Sequence, residues 1–147
     1  MVEGEIPQIR IPSPVEPRFA TDLWRHTCFE AFIAVEGESA YHEFNFAPSG
    51  EWAVYGFRGY RDGGPLADDT IQPRIALRAT DGRCEIDNVI RLDALSLAHP
   101  LASLQVGLSA VIETSDGLSY WALRHPLDKP DFHNADGFAL LIPPPGI

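Results

Sequence analysis

The chain has no interior methionine, no cysteine pair at metal or redox spacing, no histidine in an HxH or HExxH setting and no apolar run approaching a membrane span. Each gap removes a class of function. Met1 is the only methionine and heads the chain, so Met/His ligation of haem has no interior thioether to use; only a bis-His arrangement is left open. The five histidines, His26, His42, His99, His125 and His133, are scattered without zinc spacing. No metal or cofactor is therefore expected. Cys28 and Cys84 lack a CxxC partner and read as reduced, buried thiols. The longest apolar stretches, such as GFALLIP, fall far short of the roughly 20 residues that cross a bilayer. The start, MVEGEIPQIR, is acidic where an export signal is basic and apolar, so the expected location is cytoplasmic.

Basic side chains are also scarce. Eleven stand against twenty-one acidic ones, for a net charge of −10 and an isoelectric point near 4.7. Such a chain repels phosphate backbones and anionic lipid, which argues against nucleic acid or a membrane surface as a partner. Ser49 and Ser119 lack the GxSxG setting of a hydrolase nucleophile. Glu30 and Glu43 have the makings of an acid–base pair at a glycosidic bond, but nothing in the sequence separates that role from binding. The chain is read as a binding protein, not an enzyme.

What the chain does have is punctuation. Thirteen prolines and twelve glycines break it into short segments, and within these the apolar residues alternate with period two, the mark of strands. A weak first strand is expected over Val2 to Ile11, followed by a proline-rich connection. Cys28 to Val35, Tyr41 to Phe46 and Trp52 to Phe57 form a meander around the turns EGES and APSG. RGYRDGGPLADD reads as a long loop of the kind that carries function. Ile75 to Thr80 and Arg83 to Val89 form a hairpin at Asp81-Gly82. One short helical turn is expected within Leu92 to Leu104. Strands follow over Leu104 to Thr114, Leu118 to Leu123 and, after the loop HPLDKPDFHNADG, Gly137 to Ile142. Eight or nine strands with at most one helical turn predict an all-β, antiparallel sandwich, jelly-roll or immunoglobulin-like, in a single domain of 147 residues.

Alternate residues along a strand share a face. His42, Phe44 and Phe46 fall on one side of their strand, and Tyr41, Glu43 and Asn45 on the other. With Glu30 from the preceding strand, the second side carries rings and acceptors, a combination that suits the apolar face and hydroxyl rim of a sugar. Trp52 joins that side if the APSG turn holds an even number of loop residues, and the phenylalanine side if odd. The alternative is an ordinary solvated sheet face. Trp24 and Trp121 are expected in the core.

Asp22 to Gly63, with its parts LWRHTCFEAF and YHEFNFAPSGEWAVYGF, resembles the bacterial DOMON-like domains, relatives of the family 9 carbohydrate-binding modules. PDFHNADGFAL, from Pro130 to Leu140, adds to the resemblance more weakly. It implies a β-sandwich in a superfamily whose members bind sugars or haem, and it points to Trp24, His26, Glu30, Glu43, Asn45 and Trp52 as motif positions. The haem branch uses a Met and a His as axial ligands, which this chain cannot match, so the ligand it implies is a sugar. It also implies that one or two strands are missing ahead of Val2, leaving an edge to be covered by a second copy in a homodimer or by the segment from Ile6 to Ile11. The readings kept beside sugar binding are a protein–protein assembly module and, third, a haem protein.

Overall fold

The computed structural model describes residues 1–4, 8–66, 70–80, 82–95, 102–144 and 146. Ile6, Asp81 and His99, which enter expectations above, lie outside them. Among the described residues there are ten strands. These are β1 (Val2–Glu3), β2 (Cys28–Val35), β3 (Tyr41–Phe46), β4 (Trp52–Gly59), β5 (Asp62–Pro65), β6 (Arg74–Thr80), β7 (Arg83–Val89), β8 (Leu104–Thr114), β9 (Gly117–Ala122) and β10 (Leu140–Ile142). Three short 3-10 helices, Leu23–Arg25, Leu92–Leu95 and Ala135–Gly137, complete the elements.

The expected β2–β3–β4 meander forms, with Ala31 opposite Phe44 and Phe44 opposite Val54. β8 pairs with β2 along its length, and its other flank is shared by β10 at one end and β9 at the other. The large sheet thus runs β10-β8-β2-β3-β4-β5, with β9 beside β8, and a smaller sheet runs β1-β7-β6. All strand pairs are antiparallel.

Between the sheets the inner face of the meander contributes Ala31, Ile33, Phe44, Phe46, Trp52 and Val54, packed with Ile71, Leu95 and Val106. Each fully buried ring or branched chain here contributes roughly 1.5–3 kcal/mol by leaving water.

Several details depart from the sequence reading. The GGP stretch is a strand, β5, because β4 runs on to Gly59, and Tyr60 and Arg61 turn the chain back along it. Gly63 makes this pairing feasible: a Cβ there would stand 1.9 Å from the Gly56 carbonyl oxygen. The first strand shrinks to Val2–Glu3, with Ile9 making an isolated bridge to Thr114. The last begins at Leu140, since Ala135–Gly137 is helical. The proline-rich connection returns as an edge cover, where Phe19 bridges Trp52.

Candidate functional site

The outer face of the large sheet carries the residues that alternate with the core. Glu30 stands directly across from Asn45, and Glu43 from Tyr55, so the two glutamates are diagonal neighbours, with Cβ atoms about 7 Å apart. This face does not open flat to water. At one end the 3-10 turn at Leu23–Arg25 lays Leu23 on Cys28, Ala47 and Ala53. At the other, the connection from β9 to β10 folds back, and Phe138 and Phe132 pack on Phe32, Ala34, Tyr41 and Phe57. Gly107 permits this, because a Cβ on it would meet the Phe138 ring at 2.7 Å. Between the two covers lies a cavity of about 740 Å³, lined by Glu30, Glu43, Trp24, Tyr55, Tyr120, His133 and neighbours.

The polar groups of the cavity are linked. Ser109 Oγ donates to Glu30 Oε2 at 3.2 Å. The backbone N–H of Arg61, a residue held at φ +54, donates to the Tyr41 hydroxyl at 3.1 Å, and that hydroxyl lies 2.8 Å from His133 Nδ1. His133 Nε2 faces Glu43 Oε2 at 3.5 Å. Arg61 Nη2 donates to Asp131 at 2.9 Å, and Tyr60 donates its hydroxyl to the same carboxylate at 2.6 Å. The arrangement that satisfies each group has Tyr41 donating to Nδ1 of a neutral His133, whose proton rides on Nε2 toward Glu43.

Burial dominates the electrostatics. Glu30 is pushed up to about 8 by desolvation and then by the charge of Glu43, with Ser109 opposing. Glu43 is pushed up to about 7 by desolvation, against the pull of Asn45 and Arg61. Desolvation and the nearby Arg61 hold His133 down to about 4. Asn45 is fully buried. Its contact with Glu43 falls short of hydrogen-bond geometry, and neither its nitrogen nor its oxygen has a hydrogen-bond partner among the described residues.

Of the residues singled out from sequence, Trp24, Glu30 and Glu43 line the cavity, and Asn45 lies beneath it on the same face. Tyr41 shares the face but is buried in the ring cluster, stacked on Phe57 at 4.8 Å. Trp52 belongs elsewhere. It pairs with Phe46 across residues 47–51, an odd turn that sends its ring inward, where it meets Phe19 edge-on at 5.5 Å. His26 is also outside the cavity, 70% exposed and 2.9 Å from Glu113. Trp24 and Trp121, expected in the core, are 47% and 64% exposed. Both cysteines are free and buried, as expected. Tyr55, Arg61, Tyr120, Asp131 and His133 are brought to the site by the structure; the polar loops that hold Arg61, Asp131 and His133, and the stretches that carry the resemblance, are the sequence signals that point toward them. Among the described residues no three His, Cys, Asp or Glu side chains gather as a metal site would require, and no helix is long and apolar enough to cross a membrane.

The sequence matches no protein-family profile and no curated protein. The fold is similar to the crystal structure of a "putative carbohydrate-binding protein" from Bacteroides uniformis ATCC 8492, with a TM-score of 0.59 at 14% identity. The likeness covers 79% of this chain and 60% of that one.

Proposed function

We propose that the chain is a DOMON-like, non-catalytic binding module whose outer sheet face takes a small polyhydroxylated ligand, a carbohydrate being the natural class. One observation carries this: Glu30 and Glu43, from adjacent strands, open into a single aromatic-walled cavity of about 740 Å³, a size suited to a small ligand. Carboxyls held near neutrality offer both donor and acceptor to a hydroxyl. Trp24, Tyr55 and Tyr120 supply ring faces for the apolar side of a sugar, in place of Trp52. The shared fold of the Bacteroides protein is consistent with this reading. Ring stacking adds only about 1 kcal/mol beyond area burial, so affinity for one sugar unit is expected to be weak. Calorimetric titration with mono- and disaccharides, backed by a glycan array, tests it; silence from every sugar overturns it.

A second observation favours an assembly role alongside binding. The small sheet leaves part of the large sheet's inner face open, and a cleft there is lined by Leu108, Trp121 and Leu123, which are 44%, 64% and 53% exposed. Patches of this kind mark interfaces, and a second copy of the chain would cover this one. Sedimentation of a strict monomer at high concentration counts against the homodimer.

A further inference from the structure

The charges around the cavity do not balance, and the imbalance is local. Among its described lining residues the acids are Asp22, Glu30, Glu43 and Asp131, and the basic groups are Arg61 and His133. Arg61 is engaged with Asp131 at 2.9 Å, and Asp22 lies 3.7 Å from Arg25. His133 is neutral, with one ring nitrogen on Tyr41. Glu30 and Glu43, each only 6% exposed, are left on the floor without a cation. Buried carboxylates without a counter-charge are unfavourable, and a ligand that brings one removes the cost. Beside them Asn45, with no exposed surface and no hydrogen-bond partner among the described residues, stands on the same face. The walls are rings, Trp24, Tyr55, Phe57, Tyr120 and Phe132, whose π-faces attract organic cations. The space exceeds what a bare metal ion would fill, and among the described residues no three His, Cys, Asp or Glu side chains gather as a metal site would require.

We propose that the cavity selects a hydroxylated ligand bearing a primary ammonium group, as in an amino sugar, with the ammonium seated between Glu30 and Glu43 and the carbon frame against the aromatic walls. This rests on the ligand-binding reading above and narrows it. Seating the ammonium favours the ionised form of the glutamate that it pairs with, so one proton leaves to solvent as the ligand enters and the second carboxyl stays protonated as a donor. Tyr41, Tyr55, His133, Arg61, Asp131 and the buried Cys28 thiol also face this region. Cys28 and the two tyrosines are shifted upward by burial and stay protonated near neutral pH, so the released proton comes from a glutamate.

The test is calorimetric titration of the whole chain at pH 6.5 with glucosamine, glucose, N-acetylglucosamine and 2-aminoethanol, repeated in buffers of different ionisation enthalpy. Glucosamine is expected to bind about tenfold or more tightly than glucose or N-acetylglucosamine, with proton release, because an ammonium–carboxylate contact is charge-assisted. Glu30→Gln and Glu43→Gln, each checked for an intact melting transition, should remove that preference and the proton release, bringing glucosamine to the affinity that the same variant shows for glucose. Equal affinity for glucose and glucosamine without proton release overturns the ammonium seat and leaves the carbohydrate reading standing. Binding of 2-aminoethanol as tight as glucosamine, with none of glucose, supports the seat but overturns the hydroxylated frame. No response to any of the four overturns both.

Discussion

His133 Nε2 lies 3.5 Å from Glu43 Oε2, yet between about pH 4 and 7 burial favours the neutral form of both groups. His133 is charged only below about 4, and Glu43 only above about 7. The windows do not overlap, so the contact is between two neutral groups over the whole interval between them. The same burial that keeps the imidazole free of its proton keeps the carboxyl attached to its own.

Stability should therefore fall as the solution turns alkaline. The folded pKa values of Glu30 and Glu43 lie above the ordinary 4.5, at about 8 and about 7. Their contribution is complete below pH 4.5 and is lost as the pH rises through 7 and 8. His133 acts oppositely: its contribution is present above pH 6.5 and is lost as the pH falls through about 4. His42, also held down by burial, acts in the same sense as His133, so two histidines oppose the two glutamates below pH 6.5; above it the glutamates dominate, and the buried thiols of Cys28 and Cys84 add to the loss toward pH 9. The melting temperature followed by circular dichroism should drop from pH 5.5 to pH 9, and Glu30→Gln should flatten much of the drop. A melting temperature that rises over this range contradicts the assignment.

Asn45→Val should stabilise the ligand-free protein by about 1 kcal/mol, since it removes a buried amide that has no hydrogen-bond partner among the described residues and puts a β-branched side chain in a strand. Urea denaturation gives the difference. The same variant should bind glucosamine less tightly, the trade-off expected where a buried polar group serves a ligand.

The two tryptophans nearest the turns should part company on truncation. Trp52→Ala empties a core site beneath Phe19 and should cost about 3–5 kcal/mol. Trp24→Ala, at the cavity rim, should cost less than about 1 kcal/mol. Chemical denaturation of both variants measures the contrast, which reverses if Trp52 rather than Trp24 faces the ligand.

Gly107→Ala should destabilise by about 1–3 kcal/mol, because its Cβ would press on the Phe138 ring at 2.7 Å. The smaller Phe138→Leu side chain should recover part of the loss in the double variant. Thermal melts of the two single variants and the double variant complete the cycle.

Strands β2, β3 and β4 are legible in the sequence because they are short runs rich in aromatic and β-branched residues and their turns carry Gly, Ser, Pro and Glu. Glu30, Glu43 and Asn45 are assigned to one face by residue parity. Parity fails at Trp52, where the count of turn residues decides the face and APSG alone does not reveal that Glu51 also belongs to the turn. β5 escaped notice because its glycines, which sequence reading assigns to a loop, serve here to let two backbones approach. His26 matches a motif position but leans away to Glu113. His133 lies in PDFHNADGFAL, the weaker part of the resemblance, where nothing in the sequence marks it as a site residue.

Alternation and punctuation by themselves determined an all-β sandwich, and which side of each central strand is apolar, because the two faces of a strand are set by residue parity alone. The enclosure of the acids was decided only in three dimensions. Leu23, in a segment with no strand pattern, and Phe138, in a stretch that reads as strand but precedes β10, cover the face from opposite sides, and Asp131 and His133 arrive more than eighty positions after Glu43 in the chain. Contacts between residues so far apart in the chain depend on how the loops pack, and local sequence carries no record of that.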